Sequence, residues 1–572
     1  MSDEKTTVIG IDLGTTYSCL SYIDETGNPV VVKNSEGSNT TPSVVHFDPD
    51  DPSKYDVGQP AKDNALIDPD YTASFVKRII GDSPVAITIS GKDENDEEWT
   101  QTYSPEQISA YVLKKLTYDA AQNMPMGYDG CVITVPAYFG DAETQATLAA
   151  AKIAGLNVYG TVQEPVAAAI NYGCDKSDKD EDVIVYDLGG GTFDVSAVSF
   201  SHSSGSKNIE VVCNQGDKNL GGGDWDAAIV AYLKDKFCEE AEVDEDIFDE
   251  YADQQLQGEA EKIKFALTSK DSANAVLNFT GRPQRIGLTI DDFNDMTSDL
   301  LSRTIDIMRT CLDGAKAKGH NPTKILLVGG STRMRQVSDC LKQEFPDLEQ
   351  AINDPDEAVA KGAARYAAQL ASMLYHKAEQ EGTSEETVEV VDQQTQEVKQ
   401  QQNVGANNLA MTFVNPEDAA SAIKISVVTS KSYGVEALDD SGTPCIFNLI
   451  LKNQKIDPEK GSYENTQRFG TSEAGQTSVL VQVYENDAEQ EKVEKDRDAL
   501  ASASIDLSGT NLPKGSPIDV TFILSEQGIL DVRAVEPTSG QSCEVEVEVK
   551  GGLTEDEIRE ARSKATAMQM VL

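Results

Sequence analysis

Residues 182–200 read DVIVYDLGGGTFDVSAVSF, and this stretch decides the fold that we predict for the chain. An apolar run ends at Asp187, three glycines follow Leu188, and a second β-prone run begins at Thr192. Two strands joined by such a turn form a hairpin whose backbone N–H groups can face one ligand. An aspartate at the strand end and a threonine hydroxyl suit a nucleotide's phosphates with their Mg²⁺. A purely structural glycine-rich hairpin is the alternative that this stretch alone leaves open.

The same pattern occurs near the N-terminus, where residues 8–17 read VIGIDLGTTY. A third strand followed by a glycine turn lies at 325–333, with the sequence ILLVGGSTR. Two Asp-Leu-Gly hairpins indicate a duplicated lobe that clamps the phosphates between its copies. The sequence has no G-x-x-x-x-G-K-[ST] motif, so this phosphate site would differ from a P-loop.

Length and composition bound the class of protein. The 572 residues exceed the size of a single core and indicate about two to four domains. The net charge of −49 argues against nucleic acid or an anionic membrane as a partner. No apolar leader follows Met1 and no run reaches transmembrane length, while the nine cysteines and four histidines show no zinc spacing. We therefore expect a cytoplasmic protein with reduced thiols.

Strands and helices alternate over residues 1–376, which predicts an α/β domain. Start and stop signals predict helices in three places: 75–81, 105–122 and 141–155. The acidic stretch 92–100 predicts a solvated hairpin turn.

Two acidic residues of this region have alternative interpretations. Glu164 follows a strand and opens a helix, where catalytic groups often lie in α/β folds, although an acidic helix cap explains it equally. Glu261 and Lys264 are one helical turn apart, which alone predicts a surface contact between them.

The composition changes after residue 376. Residues 377–422 are rich in Glu, Gln and Thr, which is typical of a flexible linker. From 423 to 550 the apolar period becomes two, as in SVLVQVY at 478–484, and this predicts an all-β sandwich. A last helix is expected to open at Leu553.

Six ordered motifs make the chain similar to one known family. They are GIDLGTTYS at 10–18, VPAYF at 135–139, EPVAAA at 164–169, DLGGGTFDVS at 187–196, LVGGSTR at 327–333 and DPDEAVAKGAA at 354–364. This combination resembles the 70-kDa heat-shock protein chaperone family of the DnaK type, over about 1–375 and 423–560.

The resemblance implies a multidomain protein. Its parts would be an α/β actin-like two-lobed ATPase domain at 1–376, the linker at 377–422, an all-β sandwich peptide-binding domain at 423–550 and the short start of a truncated helical lid at 551–572. The expected function is ATP-dependent binding of exposed, apolar, extended segments of unfolded clients. A J-domain co-chaperone and a nucleotide-exchange factor are further implied partners, with no nucleic acid and no membrane.

The resemblance also implies the site residues and cofactors, which are ATP or ADP, Mg²⁺ and K⁺ as a further ion. The catalytic set would be Lys77, Glu164, Asp187, Thr192 and Asp12. The metal set would be Asp12, Asp187 and Asp194, with Asp194 joining the other two around K⁺. The nucleotide would lie against Gly14, Thr15, Thr16, Tyr17, Gly189, Gly190, Gly191, Gly221, Gly222, Glu261, Lys264, Gly329, Gly330, Ser331, Arg333 and Asp356. The peptide groove would comprise Val435, Leu438, Phe469, Ser472, Val479, Val481 and Ile518, which without the resemblance are simply sandwich core.

Several positions depart from the family pattern. Thr144 and Gly160 stand where relatives usually carry arginines of the interdomain relay and of the J-domain contact, and Phe265 replaces an adenine-stacking cation. The linker is long and acidic, and the lid is short. A regulatory relative with a weak or absent client cycle is therefore the second hypothesis. A metabolite kinase on the same fold is the third, but it leaves the β-domain without a role.

Overall fold

The structure is a computed structural model. It describes residues 6–92, 98–175, 180–203, 206–279, 281, 283–352, 354–381, 388–391, 398–401, 423–439, 441–456, 460–525, 529–545 and 553–571. The tip of the predicted hairpin at 92–100 and most of the predicted linker lie outside these residues. Among the helices of the described ranges, none is long and apolar enough to cross a membrane.

The first lobe is built on a sheet of order β11-β10-β1-β2-β3, with β4 paired to β2. Its strands are β1 (Thr6–Asp12), β2 (Tyr17–Ile23), β3 (Pro29–Val31), β4 (Thr41–Pro42), β10 (Gly127–Val135) and β11 (Val158–Gln163). β1 runs parallel to β10 and antiparallel to β2. Its side chains are buried on both faces, which is why residues 8–11 form an apolar run.

The second lobe repeats this plan in a sheet of order β18-β17-β12-β13-β14-β21. Its strands are β12 (Glu181–Leu188), β13 (Phe193–Ser203), β14 (Ser206–Asp217), β17 (Lys324–Val328), β18 (Glu349–Ile352) and β21 (Ile423–Ser426). β12 and β13 form the predicted hairpin, in which Asp187 is opposite Asp194. β21, which the periodicity assigned to the sandwich, instead pairs in parallel with β14, because it fills the open edge of this sheet.

Eleven α-helices occur in the described residues. They are α1 (Gln59–Asn64), α2 (Pro105–Asn123), α3 (Asp141–Ala154), α4 (Glu164–Asp175), α5 (Gly222–Ala241), α6 (Glu250–Leu267), α7 (Ile290–Met296), α8 (Ser298–Ala317), α9 (Arg335–Glu344), α10 (Ala358–Glu381) and α11 (Glu555–Ala567). The helices predicted at 105–122 and 141–155 are confirmed, and Ser104 caps α2 through a reciprocal bond with Gln107.

The short helix predicted at 75–81 is wrong in extent. Only Val76–Arg78 forms a single 3₁₀ turn. Phe75 and Gly81 both have positive φ, 57° and 77°, which ends helical geometry on either side.

Four small sheets complete the region before residue 423. One contains β5 (Val45–Phe47), β6 (Lys54–Val57), β7 (Thr72–Ala73) and β31 (Gln569–Met570), so the end of the described chain returns to the first lobe. The others are the hairpins β8 (Ile87–Lys92) with β9 (Glu98–Tyr103), β15 (Ser272–Leu277) with β16 (Gln284–Thr289), and β19 (Val388–Val391) with β20 (Val398–Gln401). The last hairpin lies within the segment predicted as a linker.

The β-rich domain is confirmed as two antiparallel sheets that share one apolar core. The first sheet, in spatial order, is β26 (Lys492–Glu494), β23 (Pro444–Ile450), β22 (Ser432–Leu438), β25 (Ser478–Asn486) and β27 (Ala501–Asp506). The second is β24 (Ser462–Gly470), β28 (Pro517–Ser525), β29 (Leu530–Glu536) and β30 (Gln541–Val545).

This β-sandwich rests on the two-lobed region through polar bonds. Ser430 donates its hydroxyl to the carbonyl of Phe139 at 2.7 Å. The amide of Asn214 donates to the side-chain oxygen of Asn453 at 3.0 Å. α11 then packs on α2 and α3, where Ile558 and Ala561 join the core of the first lobe.

Candidate functional site

The two Asp-Leu-Gly turns meet between the lobes, and we call the region around them the cleft. A Cβ atom on Gly190 would lie 2.0 Å from Thr16 Oγ1, and one on Gly191 would lie 2.3 Å from the Thr15 methyl group. Only glycine permits this approach, which brings the backbone amides of both turns to one place. The two turns therefore lie against each other, and their binding of phosphates stays a prediction.

The start of α5 completes the cleft floor. Gly222 N donates to Gly189 O at 2.9 Å, and Gly223 N donates to Gly190 O at 2.8 Å. A Cβ on Gly221 would lie 2.5 Å from the Gly191 backbone. The predicted glycines 189–191, 221 and 222 therefore form one packed unit.

The third glycine turn closes the same cleft from the second lobe. Ser331 donates its hydroxyl to Gly189 O at 2.9 Å, and Gly329 has a φ of 81° and lies against Asp187. Arg333 bonds Asp356 at 2.6 Å, beside Gly330. The structure thus brings residues 329–333 and Asp356 close to the turn at 187–191, and their role in nucleotide binding stays a prediction.

A buried ion pair lies deep in the cleft. Lys77 Nζ donates to Glu164 Oε1 at 2.5 Å, and the two residues are 6% and 7% exposed. Glu164 is the first residue of α4, whereas Lys77 comes from the 3₁₀ turn at 76–78. A cap of α4 alone does not explain a carboxylate that is paired with a buried ammonium group.

Three carboxyl groups surround this pair. Asp12 accepts from Thr134 Oγ1 at 3.1 Å, and burial, followed by repulsion from Glu164, raises its pKa to about 7. Burial and then Glu164 also raise the pKa of Asp187 and of Asp194 well above their usual range. Both oxygens of Asp194 are buried without a hydrogen bond of regular geometry in the described part of the chain, and the nearby amides of Ala137 and Tyr138 offset only part of the rise of its pKa.

This donor set fits a divalent cation. Oxygen ligands of high negative charge and buried, unpartnered carboxylate atoms are what Mg²⁺ requires. No group of three His, Cys, Asp or Glu side chains among the described residues converges to coordinate an ion directly. A hydrated Mg²⁺, held through its own water molecules, agrees with that spacing.

The mouth of the cleft carries a polar bridge between the lobes. Tyr17 donates its hydroxyl to Glu261 Oε1 at 3.0 Å and accepts from Lys62 at 3.0 Å, and Lys62 also forms an ion pair with Glu261. Lys264 bonds Asp226 at 2.6 Å and the carbonyl of Gly222 at 2.8 Å. The surface contact predicted between Glu261 and Lys264 is wrong, because each of them reaches a partner on another element.

Sequence reasoning missed Arg78, Asp224 and Lys62. Arg78 Nε donates to Gly191 O at 2.8 Å, and its Nη2 bonds Asp224 at 2.5 Å. Asp224 also accepts from Gly221 N at 2.7 Å. The adjacency of Arg78 to Lys77 was the only available signal, because the partners are distant in sequence.

The predicted peptide-groove residues divide by exposure. Val435, Val481 and Ile518 belong to the sandwich core. Phe469 and Val479 are half-buried, Ser472 is exposed, and Leu438 is 60% exposed. The Phe469 ring also meets Phe447 edge-on at 5.7 Å. The groove remains a prediction.

The fold and this cleft define a multidomain protein with an α/β region and an attached β-rich domain, which is consistent with the class of multidomain α/β ATPases. Comparison with protein families agrees: the family model described as "Hsp70 protein" matches residues 8–378 and 403–570, nearly the whole chain. The chain therefore belongs to the Hsp70 family. Its members are chaperones with ATPase activity, and they generally bind ATP or ADP with Mg²⁺, unfolded clients, J-domain proteins and nucleotide-exchange factors.

Proposed function

We propose that this chain hydrolyses ATP in the cleft and binds extended apolar segments of unfolded proteins in its β-sandwich. The observation that carries the hydrolytic part is the buried pair of Lys77 and Glu164, which lies close to the carboxyl groups of Asp12, Asp187 and Asp194. A buried ammonium group beside phosphate-binding amides neutralises the charge that develops on a transferring phosphoryl group.

Each part of the cleft has a role in this proposal. Amides and hydroxyls of Thr15, Thr16 and residues 189–192 bind the β- and γ-phosphates. Asp12 and Asp187 hold hydrated Mg²⁺, which when bound supplies positive charge to the phosphate oxygens, and Asp194 joins them around K⁺. Glu164 and Lys77 position the attacking water, and the Lys77 ammonium group stabilises the charge of the in-line transition state.

The adenosine is proposed to lie toward the cleft mouth. Glu261 and Lys264 face it from α6, while Gly330 and Arg333 face it from the third glycine turn. Glu261 is already bridged to Lys62 and Tyr17 of the first lobe. A nucleotide bound here therefore contacts both lobes and favours their closure.

The test is single-turnover ATP hydrolysis by the wild type and by Lys77→Ala. We expect slow hydrolysis in the wild type and a loss of about 10²–10³-fold in the variant, with nucleotide binding retained. Lys236→Ala removes an exposed lysine that pairs with Glu239 on α5, and it serves as the matched control with an unchanged rate. A wild type that binds ATP without hydrolysing it contradicts the proposed catalytic set.

A second candidate is a regulatory relative with little client cycle. Thr144 favours it, because this buried residue offers only a hydroxyl, donated to Gly140 O at 2.7 Å, where relatives place a relay arginine. Adding an extended apolar peptide to the hydrolysis assay separates the two candidates. Acceleration supports the chaperone cycle, whereas hydrolysis that ignores the peptide supports the regulatory function.

A further inference from the structure

The β-sandwich meets the N-terminus of α3 through a carboxyl group in close contact with a glycine. Glu485 of β25 lies so near Gly140, the residue that caps α3, that a Cβ there would be 2.3 Å from Glu485 Oε2. This oxygen is buried without a hydrogen-bond partner in the described residues. The Tyr433 hydroxyl and the Asp141 amide lie beside this carboxyl group and partly offset the rise of its pKa that burial causes.

Two more carboxyl groups lie at the same helix end. Glu143 accepts from the Gly140 amide at 3.1 Å, and Asp141 Oδ1 accepts from the amide of Leu530, in the sandwich, at 3.2 Å. Both residues are buried. Asp531, the residue after Leu530, adds a further negative charge close to Asp141. We call Asp141, Glu143 and Glu485 the interface carboxyl cluster.

The nearby cations are engaged elsewhere. Lys431, which faces Glu485 from the residue before β22, bonds both oxygens of Asp487 at 2.9 and 3.1 Å. Lys218 is paired with Asp82. Arg497 pairs with Asp496 and reaches only the backbone carbonyl of Glu485. Thr144, at the position of the relay arginine, is uncharged.

We propose that the β-sandwich docks on α3 only with uptake of a proton by the interface carboxyl cluster, which makes Glu485 a pH-dependent positioning residue between the two domains. In the undocked chain Glu485 is hydrated and ionised at neutral pH. In the docked chain the buried carboxylates of Glu143 and Glu485 would face each other across Gly140, and no unpaired cation among the described residues lies close enough to offset their repulsion. A proton on the cluster removes that repulsion.

The sign of the pH dependence follows from the raised pKa values. Burial raises the pKa of Glu485 to about 7 from an ordinary 4.5, and that of Asp141 to about 6. A group with a raised pKa in the docked state favours docking fully below its undocked pKa, and this contribution is lost as the pH rises toward the docked pKa. From Glu485 alone, the docking equilibrium constant should fall roughly 20-fold between about pH 5.5 and about pH 7.5.

Docking of the sandwich on α3 also affects the cleft. Phe139, one residue before Gly140, accepts the Ser430 hydroxyl from the sandwich, and its ring lies 5.9 Å from Lys77 Nζ. The docked sandwich therefore holds the chain segment that borders the buried ion pair. This consequence rests on the proposed ATPase function, whereas the proton-linked docking does not.

The experiment is small-angle X-ray scattering of the full nucleotide-free chain over a pH series, with the radius of gyration as the readout. The wild type should be compact near pH 5.5 and should expand as the pH rises past 7. Glu485→Gln keeps the shape of the side chain and a hydrogen-bond acceptor but cannot ionise. This variant should stay compact up to the highest pH of the series. Glu494→Gln, an exposed carboxylate of the same sandwich, should follow the wild type.

Gly140→Ala tests the same contact between Gly140 and Glu485 by changing the residue that caps α3 instead of Glu485. Its added Cβ meets the end of the Glu485 side chain, so docking should be weaker than in the wild type, with a larger radius of gyration near pH 5.5 and with circular dichroism showing that both domains remain folded. If Glu485→Gln fails to fold, the wild-type series and Gly140→Ala decide the outcome. A wild-type radius of gyration that does not change with pH, or a Glu485→Gln chain with the wild-type pH dependence, overturns the proposal.

Discussion

At the scale of single residues, Gly190 controls how closely the two phosphate turns approach. Gly190→Ala would place a methyl group 2.0 Å from Thr16 Oγ1 and 2.7 Å from Thr16 Cβ, so the Thr16 residue would have to shift. Overpacking of this kind costs about 1–3 kcal/mol, so we expect roughly a 10- to 100-fold loss of ATP affinity by isothermal titration calorimetry. Gly258→Ala on α6 meets no atom within 4 Å and should bind as the wild type does.

The sequence predicts a site residue of the cleft where that residue belongs to a local strand–turn–strand pattern. Asp12, Asp187 and residues 189–191 stand in strand–turn–strand segments whose geometry follows from the glycines. The partners Arg78, Asp224 and Lys62 were not predictable, because their contacts join elements up to 199 positions apart. The same limit explains the error at Glu261 and Lys264: helical spacing shows which residues share a face, but not what packs against that face.

At the scale of elements, the C-terminal helix and the strand after it form a strap across the first lobe. Met568 is buried, and its sulfur accepts from the Tyr111 hydroxyl at 2.8 Å, while Gln569 N donates to Ser53 O at 2.8 Å. Met568→Ala leaves a cavity that costs about 2–5 kcal/mol, enough to detach the strap. Hydrogen exchange of the Gln569 amide should then accelerate roughly 30-fold or more.

The control for the strap is Val571→Ala. The Val571 side chain is 43% exposed, while its amide bond to Tyr55 O at 2.9 Å stays intact, so exchange should be unchanged. Equal protection in Met568→Ala and the wild type would show that the strap is held by β31 alone. The sequence predicted a helix opening at Leu553, and in the structure Thr554 caps it, but β31 is only two residues long and has no period that a pattern could reveal.

At the scale of the whole molecule, the chain order predicted two domains but not their contact. The interface is built from single polar bonds, such as Ser430 to Phe139 and Asn214 to Asn453, which leave no apolar periodicity in the sequence. β21 shows the same limit: its alternating pattern fits any half-buried strand, and the free edge beside β14 decides where it pairs. The sequence alone does not show what a departure such as Thr144 changes, because it does not show that Glu485 of the sandwich lies beside α3.

Asn453 provides the most direct test that the docked arrangement couples the domains. It has a φ of 62°, its Oδ1 accepts from Asn214 N, and its carbonyl accepts from Lys318 Nζ at 2.8 Å. Asn453→Ala strains the left-handed backbone and leaves the buried Asn214 amide unpaired, at a combined cost of about 2–4 kcal/mol. Near pH 5.5, where the wild type is expected to be compact, we expect an expanded chain in scattering and a basal ATPase rate that no longer responds to an extended apolar peptide.

The matched control is Asn511→Ala, at an exposed residue of the same sandwich that also has a left-handed backbone, with a φ of 48°. It carries the same strain without an interdomain bond, so the chain should stay compact and keep its peptide response. If both variants undock, strain within the sandwich is the cause rather than the Asn214 contact. If Asn453→Ala expands the chain but retains the peptide response, the signal between the domains does not require docking, because the covalent connection alone would then transmit it.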